Sequence, residues 1–348
     1  MEPFRCKISF KLISRLMRWQ CFSNTLFATC LVGVMFSCSQ DSNTANGTIP
    51  GEKSIFVPKL ASEWKHIFDP NDTRSEIDTT WYTNDHCFSM GPDGRWHAYG
   101  IIGHKPVNPW TGENKFFHIS SKKLMDAPWE DHDYALYAKK GIERVLWAPH
   151  VIKEGEEYIM FYNAGNLQQN APNYASWGTL HKASSKDMFH WKRHVFNPLF
   201  SDPGHARDSY ILKYEGIYYY YYTRTYSEVD LRSCVAVRRG PDMDHWSGPK
   251  IVHTQPFEVD WGGDAESPTV IYKDGLFYLF ICLAMSDYNL THVYWSDDPM
   301  DFPNENLVTT LPVHAAEVIQ VGREDWFISN SGWDKKGLFI ANLAWVKK

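Results

Sequence analysis

Residues 266–275 are Glu266-Ser-Pro-Thr-Val-Ile-Tyr-Lys-Asp-Gly275, and the apolar run Leu-Phe-Tyr-Leu-Phe follows directly. Two strand-forming runs joined by Asp-Gly predict a β-hairpin, because glycine accepts the positive φ that a tight turn requires. The same layout occurs in residues 85–94, 147–155, 208–216 and 314–322. The first residue of each copy stands 8 or 9 positions before the glycine, and these five residues are Asp85, Trp147, Asp208, Glu266 and His314.

The spacing of the five copies predicts the fold. Successive first residues are 62, 61, 58 and 48 positions apart, which is typical of one four-stranded propeller blade. A β-sandwich would place strands at similar intervals but would not show this five-fold recurrence. Residues 80–348 contain no amphipathic segment long enough for a major helix. We therefore expect an all-β, five-bladed β-propeller over residues 55–348.

The first 54 residues are predicted to lie outside the propeller. Five basic residues precede the apolar stretch 26–36, and Cys38 follows it, which is the layout of a secretory signal. A cysteine in this place resembles the lipidated residue of a bacterial lipoprotein. We expect a lipoprotein signal in residues 1–38 and a flexible tether in residues 39–54, with a plain cleaved signal or a membrane anchor as the alternative. The product would be exported and would contact a bacterial membrane only through its lipid.

The composition of the mature chain indicates which classes of partner to expect. Beyond residue 38 there are 30 Lys and Arg against 40 Asp and Glu, a net charge of −10. This acidic balance argues against nucleic acid as a partner. Aromatic residues make up 16% of the chain, and they favour strands and offer flat faces to sugar rings. Only Cys87, Cys234 and Cys282 remain there, so a fully paired disulfide framework is not expected.

The first residues of the five copies are predicted to form the active site. The innermost strands of a propeller line a central channel, so residues at matching positions meet at one mouth of it. Carboxylates crowded there must be paired, protonated or used in catalysis. Hydrolysis of a glycoside needs one ionised and one protonated carboxyl group, and a third carboxylate nearby raises the pKa of the acid. Asp85, Asp208 and Glu266 fit this division, with the longer Glu266 reaching the leaving group.

Each candidate also has a structural interpretation. Asp85 follows Asn84 and can serve as a turn residue, and Asp208 can form an ion pair with Arg207. A tryptophan or histidine at a strand start can simply belong to the core. The candidate substrate-binding residues are Trp147, His150, Arg207, Trp261 and His314, of which His150 has the weakest support because it lies off the repeat position.

The order of these motifs resembles the five-bladed propeller glycoside hydrolases, the arabinanase, xylosidase and invertase group, and family 43 most of all. The resemblance covers about residues 80–345, and its motifs are Asp85, Trp147-Ala-Pro, Asp208, Glu266-Ser-Pro and His314. It implies that Asp85 is the general base, that Glu266 is the general acid, and that Asp208 tunes the acid and orients the sugar. It also implies a plant or algal oligosaccharide ending in a pentose or furanose, and no required cofactor.

Several positions depart from the family 43 pattern. His86 follows Asp85 where proline is usual, and Asn84-Asp85 and Arg207-Asp208 are closer to the family 32 invertases. Family 43 implies inversion, with carboxyl groups about 6.5–9.5 Å apart, whereas family 32 implies retention at about 5–5.5 Å. Some relatives hold a cation in the channel near the histidine of blade 5. A structural Ca²⁺ is therefore compatible with the resemblance, although no run of ligand residues indicates one.

The predicted function is an inverting glycoside hydrolase, and two alternatives remain. One is a retaining, family 32-like fructosidase. The other is a non-catalytic glycan-binding lipoprotein of the cell surface, built on the same fold. A binder would keep the aromatic residues but would not need an acid pair, so Asp85, Asp208 and Glu266 favour the enzyme.

Overall fold

The computed structural model describes residues 53–74, 80–166, 179–202, 206–224, 232–257, 263–284 and 286–348. Five antiparallel sheets of four or five strands follow one another along the chain. The fold is thus an all-β, five-bladed β-propeller, as the repeat predicts. The expected signal segment, Cys38 and Trp261 lie outside the described residues. Within the described ranges, no helix is long and apolar enough to cross a membrane.

The glycine turns build the hairpins as expected. In two of them, the central residues Glu215-Gly216 and Asp274-Gly275 all have positive φ, at 49°, 78°, 48° and 89°. The residues that flank each turn pair with each other. Two successive positive φ angles give the tight turn whose twist matches that of the strands it connects.

The described chain begins with two short strands and one helical turn. They are β1 (Phe56–Leu60), β2 (Lys65–Phe68) and α1 (Pro70–Thr73). The Asp69 side chain caps the helix by accepting a hydrogen bond from the Asn71 backbone N–H at 2.9 Å. Proline suits the next position, because its missing N–H would have no helical partner there.

Blades 1 and 2 each place their first strand nearest the axis, where it contacts the first strand of the neighbouring blade. Blade 1 contains β3 (Trp81–Met90), β4 (Trp96–His104), β5 (Lys115–Ser121), β6 (Glu130–Asp131) and β7 (Leu136–Tyr137). Blade 2 contains β8 (Glu143–Glu154), β9 (Glu157–Asn166), β10 (Thr179–Ser185), β11 (Lys192–Arg193) and β12 (Phe200–Ser201). In both blades two short strands share the outer edge.

Blades 3 and 4 have four strands each. Blade 3 contains β13 (Arg207–Tyr214), β14 (Ile217–Arg224), β15 (Cys234–Gly240) and β16 (Lys250–Thr254). Blade 4 contains β17 (Glu266–Lys273), β18 (Leu276–Cys282), β19 (Thr291–Ser296) and β20 (Leu307–Leu311), the last preceded by a 3₁₀ turn at Asn304–Asn306. The tyrosines of β14 alternate between faces, as strand geometry requires. Tyr218, Tyr220 and Tyr222 pack toward blade 2, whereas Tyr219 and Tyr221 pack toward blade 4.

Blade 5 closes the ring by combining both ends of the described chain. It contains β21 (Val318–Val321), β22 (Asp325–Asn330), β23 (Leu338–Lys347) and β1. Strand β1 pairs with β23 from Phe56 opposite Lys347 to Leu60 opposite Leu343, and β2 also pairs with β23. The Phe56 N–H donates to the Tyr278 hydroxyl at 2.8 Å, so β1 also contacts blade 4.

The core lies between the blades rather than inside any one of them. Among the described residues, buried apolar side chains form five clusters, one at each interface between neighbouring blades. Aromatic pairs are frequent there, such as Tyr99 of blade 1 against Trp191 of blade 2, with 5.4 Å between ring centroids. The three cysteines of this part are buried, and none of them is in a disulfide. Burial of apolar surface, and not disulfide bonding, therefore holds neighbouring blades together.

Candidate active site

A bulge at the start of the innermost strands shapes the centre of the propeller. In β8, β13 and β17 the pairing with the second strand shifts directly after Trp147, Arg207 and Glu266. The next residue has a positive φ in each case; these residues are Ala148 (43°), Asp208 (58°), Ser267 (50°) and, in blade 5, Ala315 (48°). Non-glycine residues in this region are strained, and they persist where surrounding contacts hold them. Bulges of this kind re-aim side chains next to functional sites.

The register corrects the sequence-based alignment of the repeats. Thr83, Trp147, Arg207, Glu266 and His314 each stand seven residues before the last paired residue of their strand. Asp208 therefore lies one position, and Asp85 two positions, beyond the residue equivalent to Glu266. The alignment failed because the glycine occupies different places in the turns. Gly155 is the first loop residue of its hairpin, whereas Gly216 is the second.

One cavity nevertheless collects most of the predicted residues. Its volume is about 630 Å³ including the open mouth. Asp85, Trp147, Arg207, Asp208 and Glu266 all line it. These residues belong to the first strands of blades 1 to 4, so the cavity lies where those strands meet at the axis.

Hydrogen bonds connect the three carboxyl groups through one serine and one arginine. The Ser267 hydroxyl donates to Asp85, and the Ser267 N–H donates to Asp208 Oδ2 at 3.2 Å. Thr223 Oγ1 also donates to Asp208 Oδ2, at 2.8 Å. Arg207 Nη2 donates to Glu266 Oε1 at 2.5 Å, and Arg207 Nε lies 3.5 Å from Asp208 Oδ2. The predicted ion pair of Arg207 with Asp208 is thus present, but Arg207 contacts Glu266 more closely.

Burial is the largest influence on the pKa values of Asp85 and Glu266. It raises the pKa of Asp85, and the charge of Asp208 raises it further. Burial also raises the pKa of Glu266, while the Arg207 guanidinium lowers it and Asp208 raises it again. Both carboxyl groups therefore titrate above their ordinary range of about 4. Near neutral pH the group can hold a proton on one carboxyl while another is ionised, which acid–base hydrolysis requires.

Two aromatic pairs flank the carboxyl groups. On the side of blades 1 and 2, the rings of Trp110 and Trp147 meet edge to face, with 5.6 Å between centroids. From blades 4 and 5, Tyr288 and Trp333 are stacked at 5.5 Å and 23°. All four residues line the cavity. Flat aromatic faces of this kind can cover the C–H faces of a sugar ring.

The two predicted histidines do not line the cavity. His314 is 1% exposed, and its ring stacks behind Tyr288 with 3.7 Å between centroids. His314 Nε2 lies 3.1 Å from Asn84 Oδ1, so it supports two lining residues from behind. His150 packs against Tyr210 at 4.3 Å between ring centroids. The structure therefore places His314 one layer from the cavity and His150 in the core.

Sequence reasoning missed several lining residues. Asn84 enters the repeat pattern only as the neighbour of Asp85, and Glu113, Trp110, Tyr288 and Trp333 do not enter it at all. These last four lie in connections between strands, at no repeated position. A pattern search therefore had no signal for them.

The side chains present decide whether a metal ion fits this centre. The described residues contain no group of three or more His, Cys, Asp or Glu arranged to hold a metal ion. Glu317 lines a second cavity together with Asp85 and His86, and the Ca²⁺ that the resemblance allows stays a prediction.

Comparisons with known proteins agree with the fold. No protein-family model matches the sequence, and no curated protein matches it. A thermostable family 43 glycoside hydrolase superposes with a TM-score of 0.57 at 17% identity, covering 76% of this chain and 89% of that chain. A family 43 enzyme from Xanthomonas citri, solved with xylotriose, gives 0.55 and 17%, covering 76% and 88%. A family 32 β-fructofuranosidase from Bombyx mori gives 0.56 and 18%, covering 79% and 64%. At these identities the similarity shows a shared propeller fold.

Proposed function

We propose that this protein hydrolyses a glycosidic bond. The observation that carries the proposal is the convergence of Asp85, Asp208 and Glu266 in one cavity that four aromatic side chains also line. Burial and the charge of Asp208 raise the pKa of Glu266, so this group can hold the proton that the leaving oxygen receives, and Asp85 can accept a proton when it is ionised. Solved neighbours with the same fold are named as glycoside hydrolases of families 43 and 32.

The proposed reaction divides the work among three carboxyl groups. Asp85, when ionised, removes a proton from water, and the oxygen of that water attacks the anomeric carbon. The bond between that carbon and the leaving oxygen breaks, and Glu266 transfers its proton to this oxygen. Asp208 favours the protonated form of Glu266 through its charge. Arg207 holds Glu266 in place through their hydrogen bond.

The proposed substrate is an oligosaccharide that ends in a pentose or furanose, cleaved with inversion. The neighbours include an enzyme solved with xylotriose and a β-fructofuranosidase solved with sucrose. Proton NMR of the first-formed product tests the stereochemical course. Release of the inverted anomer supports the proposal, whereas release of the retained anomer supports the family 32-like alternative.

Glu266→Gln tests the acid with two kinds of substrate. The wild type is assayed on 4-nitrophenyl xyloside and arabinofuranoside, on sucrose and on xylo- and arabino-oligosaccharides. For the substrate that is cleaved, we expect the variant to lose activity about 10²–10⁴-fold. The loss should be much smaller on the 2,4-dinitrophenyl glycoside of the same sugar, because that leaving group departs without a proton.

Glu130→Gln is the matched control for this experiment. Glu130 lies on blade 1 with 62% of its side chain exposed, so the same chemical change there should leave the activity unaltered. An equal loss on both leaving groups would remove the acid role from Glu266. Unchanged activity of Glu266→Gln on the substrate with the poorer leaving group would refute the mechanism. Sugar binding by the wild type without hydrolysis of any substrate would favour the glycan-binding alternative.

We also propose export and lipidation at Cys38, on the sequence pattern of residues 1–38. Cys38→Ala should move the protein from the membrane fraction to the soluble fraction and abolish labelling by a radioactive fatty acid. Unchanged fractionation of the variant would favour a membrane anchor or another mode of attachment.

A further inference from the structure

Glu113 is a fourth carboxylate in the cavity, and the proposed reaction does not use it. It lies in the connection between β4 and β5, is 1% exposed, and lines the cavity with Asp85 and Trp333. Its backbone oxygen accepts a hydrogen bond from the Leu146 N–H at 2.9 Å, which ties this connection to β8 of blade 2.

The Glu113 carboxylate receives two hydrogen bonds on one oxygen. The Tyr82 hydroxyl donates to Oε1 at 3.1 Å, and the Trp333 indole N–H donates to the same atom at 2.9 Å. Trp333 stacks on Tyr288, which in turn stacks on His314. Glu113 therefore holds the outer ring of a three-ring stack that forms one wall of the cavity.

Packing alone does not require a charged group at this position. A glutamine carbonyl would accept the same two hydrogen bonds with a smaller cost of desolvation. Burial raises the pKa of Glu113 to about 7, and the charge of Asp85 contributes to the rise, although Trp333, Tyr82 and Trp147 lower it by hydrogen bonding. Since a buried carboxylate is compensated by hydrogen-bond donors, a ligand with hydroxyl donors would complete its environment.

The charge of the cavity limits which sugars can enter. The described lining contains four carboxyl groups, Asp85, Glu113, Asp208 and Glu266, and one basic side chain, Arg207. Arg207 is already bound to Glu266. The internal segments outside the described residues (75–79, 167–178, 203–205, 225–231, 258–262 and 285) contain no Lys or Arg. Among the described lining residues, an anionic sugar would thus meet four carboxyl groups and one cation, Arg207, which is already bound to Glu266.

We propose that Glu113 is a specificity-determining residue, whose carboxylate binds hydroxyl groups of a neutral sugar while it fixes Trp333 against the sugar ring. The inference rests on the proposed function for the position of the sugar but not for any step of hydrolysis. It assigns the cavity to an uncharged glycosyl unit and excludes uronic acids from it.

Binding measured without turnover tests this proposal. In the wild-type protein, which cannot turn over single sugars because they contain no glycosidic bond, calorimetry and tryptophan fluorescence follow titration with xylose, arabinose, fructose, glucose and glucuronate. We expect at least one neutral sugar to bind, and glucuronate to bind more weakly than glucose, from which it differs by one carboxylate. Adding Glu113→Gln should weaken binding of the neutral sugar about tenfold, whereas adding Glu130→Gln should leave the affinity unchanged.

Monodeoxy analogues separate direct binding from a purely structural role. If Glu113 accepts a hydrogen bond from a particular hydroxyl, its replacement should cost little affinity for the analogue that lacks this hydroxyl. An equal penalty for every analogue, an unchanged affinity in Glu113→Gln, or tighter binding of glucuronate than of glucose would overturn the proposal. If the wild type hydrolyses no substrate, and Glu113→Gln still weakens sugar binding selectively, the proposed hydrolysis is refuted. The assignment of Glu113 then stands by itself.

Discussion

Asp85 shows how a residue can favour chemistry at the expense of stability. Its carboxyl group is buried beside Asp208 and accepts a hydrogen bond from the Ser267 hydroxyl. The raised pKa means that the folded state holds this proton more tightly than the unfolded state. The contribution of Asp85 to stability is therefore fully present below the unfolded pKa of about 4 and is lost as the pH rises through the folded value.

Asp85→Asn should stabilise the fold at alkaline pH while it abolishes hydrolysis. The amide removes a poorly compensated buried charge but can still accept the hydrogen bond from Ser267, so we expect a gain of roughly 1–3 kcal/mol at pH 8. The gain should shrink as the pH falls toward 4, because the folded carboxyl is then protonated and the unfolded carboxyl approaches its own pKa of about 4. Denaturant titrations from pH 4 to pH 8 measure it. A variant less stable than the wild type at pH 8 would contradict this account of the site.

At the scale of elements, the innermost strands and the glycine turns both contain residues with positive φ, but they accommodate this conformation in different ways. The bulges hold Ala148, Asp208, Ser267 and Ala315 at positive φ without glycine, so tertiary contacts must compensate the strain. The turns use glycine for the same φ, but not always for the same reason. Gly322 is open to solvent on the side where a Cβ would stand, whereas a Cβ on Gly337 would lie 1.9 Å from the Phe68 carbonyl oxygen.

Gly337→Ala and Gly322→Ala form a matched pair in blade 5. Both glycines have positive φ, at 101° and 66°. Gly322→Ala should cost about 1 kcal/mol, since only the backbone preference changes. Gly337→Ala should cost about 3 kcal/mol or more, because the new methyl group pushes β23 away from β2. Urea unfolding of both variants checks the difference, and equal destabilisation would show that the contact with Phe68 is not limiting.

At the scale of the whole molecule, stability depends on interfaces between blades and on closure of the ring. The first strand, β1, is the outer strand of the last blade, so the ring is closed by backbone hydrogen bonds rather than by a covalent link. Its contacts reach blade 4 through Phe56 and Tyr278. Strand pairing within a single blade cannot substitute for these contacts between blades.

Removing β1 should open the propeller. A chain that starts at Ala61 loses the pairing with β23 and exposes the apolar residues of blade 5 that β1 covers. We expect a large drop in the thermal midpoint, binding of a hydrophobic dye and loss of any activity. The matched control is a shorter truncation that starts at Lys53, which keeps β1 and should unfold as the full chain does. Equal midpoints for the two truncations would show that ring closure does not need this strand.

A histidine stack makes the interface of blades 1 and 2 sensitive to acid. His97 Nδ1 lies 2.7 Å from His118 Nε2, and Phe189 of blade 2 covers His118 with 4.9 Å between ring centroids. Asp93, His132 and Tyr99 are further titratable groups that contact this stack. Burial lowers the pKa of His118 to about 2. The unfolded state therefore binds more protons below about pH 6.5, and stability falls as the pH decreases.

His118→Gln should flatten this acid limb. The amide can still hydrogen-bond to His97 but does not titrate, so the loss of stability between pH 7 and pH 5 should be smaller than in the wild type by about 2 kcal/mol. Chemical unfolding at the two pH values measures the difference. Parallel pH profiles for both proteins would show that His118 does not contribute to acid sensitivity.

The sequence by itself determined the parts of this protein that depend on local rules. Asp-Gly and Glu-Gly turns require positive φ wherever they occur, and alternation within a strand sorts the β14 tyrosines onto two faces. Five copies of one hairpin at blade-length intervals are therefore legible along the chain, and with them the five-bladed propeller. The sequence also indicates that Asp85, Asp208 and Glu266 come together. Each lies near the start of an innermost strand, and these starts converge on the axis.

Only the tertiary structure decided how these residues are placed. Counting back from a glycine cannot show whether that glycine is the first or second residue of its turn, so the repeat misaligns Asp85 and Asp208 by two and one positions. Trp333 bonds to Glu113 across 220 residues of chain, and both come from connections that no period constrains. Likewise, burial, and not residue type, puts His150 in the core and His314 behind Tyr288. Contacts between residues remote in sequence depend on the packing of whole blades, which local pattern does not encode.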